Sequence, residues 1–144
     1  MMSTKSGADM GAFNRPAMSD AEREVMKLLW DHGPLAVRDV LLRLTEQGQE
    51  WTRSTVVTLL QRLEKKGYVA SDRSGFAFVF RPLVSREEEM HARMASLAGE
   101  LCDGEALPLV LAFAERHQFS AAELAKFRQM IDQLEATPAK RGKK

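Results

Sequence analysis

Residues 51–67 have the sequence WTRSTVVTLLQRLEKKG, the pattern of an amphipathic helix that ends at a glycine. Thr52 is placed to cap the first turn, and Lys65 and Lys66 bring positive charge to the last turn, where the helix dipole favours it. Apolar side chains recur at helical spacing on one face, namely Val56, Leu59, Leu60 and Leu63. The pattern predicts a helix with one face in a core and the other face free to bind a partner.

Two helices are predicted before this segment and a β-hairpin after it. Ser19-Asp20-Ala21-Glu22 is a capping box that begins a helix over about residues 20–32, and apolar spacing predicts a second helix over about residues 37–47. Two β-prone runs, residues 68–70 and 76–80, flank a Ser-Gly turn. Three helices followed by a hairpin is the order of a winged helix-turn-helix domain, whose third helix enters the major groove of DNA.

The chain after residue 82 has the pattern of three more amphipathic helices. Capping boxes begin the first at Ser85 and the third at Ser120, and the middle helix covers about residues 105–117. Helices in so short a segment bury little apolar surface by themselves, so we expect a second copy of the chain to cover them. The residues predicted to lie in this interface are Leu97, Leu101, Leu107, Val110, Leu111, Phe127, Ile131 and Leu134.

The predicted fold class is therefore mainly α, with an N-terminal winged helix-turn-helix (three helices plus a β-hairpin wing) and a C-terminal three-helix dimerisation region. The chain divides into four segments on this interpretation. They are a flexible leader over residues 1–18, a winged-helix DNA-binding domain over 19–82, a helical dimerisation region over 83–135 and a basic disordered tail over 136–144.

Charge is distributed unevenly along the chain, although the whole chain has a net charge of only +1. Residues 51–81 contain six basic and two acidic side chains, a net charge of +4, whereas residues 82–135 contain five basic and ten acidic side chains, a net charge of −5. A local basic excess is often only a solvated surface, but it also favours a polyanionic partner.

The free side of the 51–67 helix carries short hydroxyl side chains and long polar or basic ones. Hydroxyl groups bond to phosphate or base edges, Gln suits adenine, and Arg suits guanine or phosphate. Arg53 and Ser54 fall in the first turn, which lies deepest in the groove when such a helix docks. The predicted DNA contacts are Arg53, Ser54, Thr55, Thr58, Gln61, Arg62 and Lys65 on the helix, with Arg73 and Arg81 on the wing.

Enzymatic and metal-binding functions have little support in the sequence. The single cysteine, Cys102, excludes disulfides within the chain and a cysteine-clustered metal site, and no phosphate-binding glycine loop is present. We therefore expect no catalytic residue, no metal and no cofactor. A winged-helix module that docks a protein partner, without specific DNA binding, stays open as the alternative function.

Targeting signals are also missing from the sequence of 144 residues. No apolar run approaches the roughly 18 residues that a membrane span needs, and the first residues lack the apolar core of a signal peptide. We expect a cytoplasmic protein without membrane insertion.

A series of motifs is similar to a known family. Ser19-Asp20-Ala21-Glu22, Val37-Arg38-Asp39-Val40, Ser54-Thr55-Val56-Val57-Thr58-Leu59-Leu60 and Pro82-Leu83-Val84-Ser85-Arg86-Glu87-Glu88 occur in this order. Together they resemble the penicillinase-repressor (BlaI/MecI/CopY-type) family, and the likeness extends over about residues 19–135. The resemblance implies a transcriptional repressor whose winged helices bind palindromic double-stranded operator DNA and whose C-terminal helices form a homodimer.

The chain departs from the family pattern at several positions. Cys102 stands alone, whereas the copper-sensing member has paired Cys-x-Cys motifs. Phe76 follows the turn glycine, where family wings often carry a basic residue, and Val57 replaces a long polar or basic side chain. The resemblance adds a membrane sensor protease as a partner. That protease cuts an Asn-Phe pair in resistance repressors, and Ala112-Phe113 stands there in this chain, so we expect no cut at this bond.

Overall fold

The structure is a computed structural model that describes residues 15–137. Its elements follow the predicted order, so the mainly helical winged-helix fold is confirmed. They are α1 (Asp20–His32), β1 (Leu35–Ala36), α2 (Val37–Glu46), α3 (Arg53–Lys66), β2 (Val69–Asp72), β3 (Val79–Pro82), α4 (Arg86–Leu101), α5 (Ala106–Arg116) and α6 (Ala121–Glu135).

Helix α3 lies across α1 and α2 and is the central element of the core. Its inner face is the predicted one, since Val56, Leu60 and Leu63 are completely buried. The Thr52 side chain accepts a hydrogen bond from the Thr55 N–H at 3.2 Å, and Gly67 has a φ of 91°, which suits a residue without a Cβ. These two caps fix where the helix begins and ends, and hence which side chains face outward.

The sheet differs from the predicted hairpin. The strand expected over residues 76–80 begins only at Val79, and Phe76 is fully exposed. Strand β3 is central in the order β1-β3-β2, with Phe80 paired to Leu35 on one side and to Ser71 on the other. Two neighbouring strands and the burial of Phe80 set the register, so the apolar residues 76–78 fall in the six-residue loop between β2 and β3. Strand β1 was not predicted because two residues are too short to show a period.

Residues 15–18 pack against the domain, although they were expected in a flexible leader. The guanidinium of Arg15 donates to the Gly67 carbonyl at 2.9 Å, and the Tyr68 hydroxyl donates to the Pro16 carbonyl at 2.7 Å. Met18 is buried in the core. The folded region therefore includes the segment before the first capping box. The rest of the predicted leader and nearly all of the predicted tail lie outside the described residues.

A buried ion pair joins the start of α1 to the end of α3. Glu22 is 2% exposed, and its carboxylate lies 2.7 Å from the ammonium of Lys66 and accepts a hydrogen bond from the Ser19 N–H at 2.9 Å. Burial raises the pKa of Glu22, but these two hydrogen bonds and the charge of Lys66 outweigh it, so the pKa lies below its usual range.

We expect Glu22→Gln to lower the free energy of unfolding at pH 7 by about 1–3 kcal/mol, because it leaves Lys66 without its counter-charge. A depressed carboxyl pKa stabilises the fold above the unfolded-state pKa, and that stabilisation is lost as the pH falls through the folded-state pKa. Urea unfolding at a fixed protein concentration, from neutral to acidic pH, measures both effects. Glu24→Gln is the matched control, since Glu24 lies on the same helix and meets Lys27 at 3.5 Å on the surface. Equal losses for the two variants would contradict the assignment.

Helix α4 connects the domain to the remaining two helices. The Trp30 indole N–H donates to the Val84 carbonyl at 2.8 Å, and the guanidinium of Arg86 lies 2.9 Å from Asp31 and over the Trp30 ring. Beyond this junction the apolar faces of α5 and α6 are largely exposed. The winged-helix domain is thus well packed, whereas many apolar side chains of α5 and α6 are exposed to solvent.

Candidate nucleic-acid interface

The outward face of α3 and the loop between β2 and β3, here called the wing loop (residues 73–78), form the two walls of a groove. Arg53, Val57 and Gln61 line it from α3, at successive intervals of four residues that place them in one row. Arg73, Phe76 and Phe78 line it from the wing loop. The row on α3 is polar at both ends and has a small apolar residue in the middle, and it faces the aromatic rings of the wing loop.

A second, shallow hollow lies beside the same row on α3. Ser54, Thr55, Thr58 and Arg62 line it, together with the edge of Leu59. The Thr52 hydroxyl lies 3.1 Å from both the Ser54 and the Thr55 hydroxyls. Small hydroxyl groups at a helix N-terminus allow close approach of an anion to the free N–H groups and to the positive end of the helix dipole. The hollow is thus suited to a phosphate or a base edge.

The wing loop is held at its base by polar contacts. The Asp72 carboxylate accepts hydrogen bonds from the Ser74 N–H at 3.0 Å and from the Ser74 hydroxyl at 2.7 Å, and these lower the pKa of Asp72. The guanidinium of Arg73 lies 3.7 Å from Glu64 and 4.6 Å from the centre of the Phe78 ring. Arg73 therefore contacts both α3 and Phe78, and it adds positive charge to the groove.

All nine predicted DNA-contact residues are exposed, but they do not form one surface. Seven lie on the outward side of α3, with Lys65 in its last turn. Of these seven, Arg53 and Gln61 line the groove together with Arg73, and four others line the second hollow. Arg81 does not line either hollow, because it follows the buried Phe80 in β3 and alternate side chains point to opposite faces of a sheet. It stays a predicted phosphate contact, on the far face of the wing.

Two features of this interface were not predicted. Arg38 lines the groove from the first turn of α2, and the aromatic wall is formed by Phe76 and Phe78. In helix-turn-helix docking the helix before the recognition helix crosses the phosphate backbone, so the position of Arg38 in the first turn of α2 was the available signal. The aromatic wall depends on the conformation of the wing loop. A loop has no regular spacing of apolar residues from which this conformation could be predicted.

Residues 15–137 contain neither a cluster of metal-ligating side chains nor a membrane-spanning helix. Over that range, no three His, Cys, Asp or Glu side chains come together as they would around a metal ion. No helix in the same range is long and apolar enough to cross a membrane.

Comparison with solved structures gives matches with TM-scores below 0.5. The DNA-binding domain of the repressor BlaI in solution is 35% identical, with a TM-score of 0.47, and the match covers 51% of this chain and 89% of that one. A MarR-family protein from Bacillus stearothermophilus is 19% identical, with a TM-score of 0.45, and covers 92% of this chain and 84% of its own.

Comparison by sequence is more extensive. The family model described as penicillinase repressor matches residues 18–133. The penicillinase repressor of Bacillus licheniformis is 30% identical over 82% of this chain and 91% of its own length. The transcriptional regulator BlaI of Mycobacterium tuberculosis is 32% identical over 83% and 86%, and the methicillin resistance regulatory protein MecI of Staphylococcus aureus is 25% identical over 80% and 93%. The chain belongs to the penicillinase repressor family.

Proposed function

We propose that this chain is a sequence-specific transcriptional repressor that binds double-stranded operator DNA through α3 and the wing loop. The observation that carries the proposal is the set of exposed polar side chains on the outward face of α3, beside a groove with Arg38, Arg53 and Arg73 in its walls. The relatives' names, penicillinase repressor and transcriptional regulator, support a role in repression.

We further propose that the repressor acts as a homodimer. In the single chain the apolar residues expected in the interface are exposed or half-buried, with Leu111 and Ile131 each 49% exposed. So many exposed apolar side chains on three neighbouring segments of the chain are rarely left in water, and a two-fold related copy offers the same faces for mutual burial. The whole predicted set, Leu97, Leu101, Leu107, Val110, Leu111, Phe127, Ile131 and Leu134, lies on α4, α5 and α6.

A two-fold dimer determines the form of the operator. Two winged helices related by a dyad contact two half-sites related by the same dyad, so the operator is a palindrome with half-sites about one helical turn, or a multiple of it, apart. Each winged helix alone binds one half-site weakly. When a dimer joins two of them, binding of the second half-site becomes intramolecular, which raises affinity by about 10²–10⁴-fold without any new contact.

Release from DNA then requires a signal that disrupts the interface or the DNA contacts. The bond between Ala112 and Phe113 lies in the middle of α5, and the Phe113 ring stacks on His117 at 5.0 Å. A protease needs extended backbone, so α5 must open locally before any cut. Because Ala112 replaces the Asn of the family's cleaved pair, we propose that a membrane sensor protease, if one acts on this chain, cuts elsewhere.

Lys65→Ala is expected to weaken binding to every DNA sequence about equally and to reduce the slope of log K against log salt by about 1, because Lys65 contacts phosphate. Fluorescence anisotropy with labelled duplexes at about 50–200 mM salt measures both quantities. Lys27→Ala is the control, since Lys27 lies on α1 and pairs with Glu24.

The same titration separates the two candidate functions. A protein-docking winged helix would show weak DNA binding and a partner affinity that changes little with salt. An unchanged slope for Lys65→Ala would contradict the phosphate contact.

A further inference from the structure

Phe76 is the most exposed large apolar side chain among residues 15–137. The Arg73 guanidinium partly covers the ring of Phe78. Phe76 lies at the tip of the wing loop and is not part of the hydrophobic core. Single exposed apolar side chains are common on protein surfaces, so exposure alone assigns Phe76 no role. Its place on the wall of the groove beside α3 is the feature that calls for an explanation.

The place of the ring relative to α3 limits what it can meet. Phe76 lies on the wing wall of the groove, opposite Arg53 and Gln61. When α3 occupies a major groove, we expect the wing loop to lie over the DNA strand that borders that groove, with its tip at the adjacent minor groove. Asp72 and Arg73 make polar contacts at the base of the wing loop, and Phe76 lies at its tip.

The chemistry of the ring excludes several kinds of contact. Phenylalanine neither donates nor accepts hydrogen bonds, so Phe76 reads no base edge by polar contact and binds no phosphate by charge. Apolar side chains at protein–DNA interfaces either contact a thymine methyl group in the major groove or act as wedges that partly unstack a base step in the minor groove. Because α3 is the element proposed for the major groove, the wing loop favours the second kind of contact. Flexible pyrimidine–purine steps yield to such a wedge at the lowest cost.

We propose that Phe76 is an apolar wedge that enters the minor groove flanking the α3 contact and favours a deformable base step there. The inference rests on the proposed DNA-binding function and deepens it. On this proposal, the base preference at the flanking position arises from the deformability of the DNA. The contribution of Phe76 to binding affinity does not depend on salt concentration, because the ring carries no charge.

The test compares full-length wild type, Phe76→Ala and Phe76→Leu on one operator selected from random DNA. Complete burial of a phenylalanine ring is worth about 10- to 100-fold in affinity. We expect a loss of about this size for Phe76→Ala with an unchanged salt slope, and a smaller loss for Phe76→Leu. Leu42→Ala is the control, because Leu42 is also exposed but lies on α2.

A second readout reports insertion directly. With 2-aminopurine at the flanking step, wild type is expected to raise the fluorescence on binding, and Phe76→Ala is expected to leave it low. If wild type binds the operator but Phe76→Ala binds as tightly, or if the 2-aminopurine signal does not depend on residue 76, the wedge is refuted and the repressor function stands. If wild type selects no DNA sequence, the proposed function fails and the wedge fails with it.

Discussion

Leu111→Asp is expected to convert the dimer to a monomer and to lower operator affinity by at least about 100-fold. A two-fold interface places the new carboxylate twice in an apolar contact, where an unpaired charge costs several kcal/mol. Each monomer then holds a single half-site, and the gain from intramolecular binding is lost. Sedimentation velocity measures the assembly state, and fluorescence anisotropy on the same samples measures the affinity.

The control introduces the same charge where no interface is proposed. Gln133→Asp is suitable, because Gln133 is exposed on α6, and polar Gln129 and Lys126 lie one and two turns before it on the same side of the helix. We expect this variant to remain dimeric and to bind the operator like wild type. A dimeric Leu111→Asp protein, or a wild-type chain that is monomeric at micromolar concentration, would show that the second copy lies elsewhere or does not bind.

Arg53→Ala and Thr58→Ala are expected to cost about 1–3 kcal/mol each on the operator and to relax the preference at one base pair each. Arg53 lies in the row facing the wing loop, and Thr58 lies in the hydroxyl-lined hollow beside it. The two side chains are therefore expected to affect different positions of the half-site. Competition binding with single-base operator variants resolves which position each residue reads.

Arg128→Ala provides the comparison for a lost positive charge, since Arg128 is exposed on α6, away from both hollows. It is expected to leave the preference at every base pair unchanged. Wild-type affinity in both Arg53→Ala and Thr58→Ala would remove α3 from the role of recognition helix.

The helices of this protein could be predicted from local signals. Ser19, Ser85 and Ser120 each begin a helix through a capping box, and the structure has both hydrogen bonds of the box at all three. The strands could not be placed as well, because pairing on both sides of β3 sets the register and the apolar run from Phe76 onward does not reveal it. The contacts of residues 15–18 escaped prediction because two of them use the backbone carbonyls of Pro16 and Ala17.

Only the part of the candidate site that lies on α3 could be predicted from the sequence. Spacing along α3 identifies its outward side chains, because the inner stripe and the outer face follow from the same period. Arg38, Phe76 and Phe78 reach the site by tertiary packing, and the side of the sheet on which Arg81 lies depends on the register of β3. A helical wheel contains none of this information.

Selection of bound sequences from a random DNA pool by the full-length protein tests the central claim most directly. We predict that the enriched sequences form an inverted repeat whose half-sites lie about one helical turn, or a multiple of it, apart, as two α3 helices of a two-fold dimer require. A single asymmetric motif would contradict the dimer. A pool with no enriched sequence, despite a folded protein, would contradict specific DNA binding.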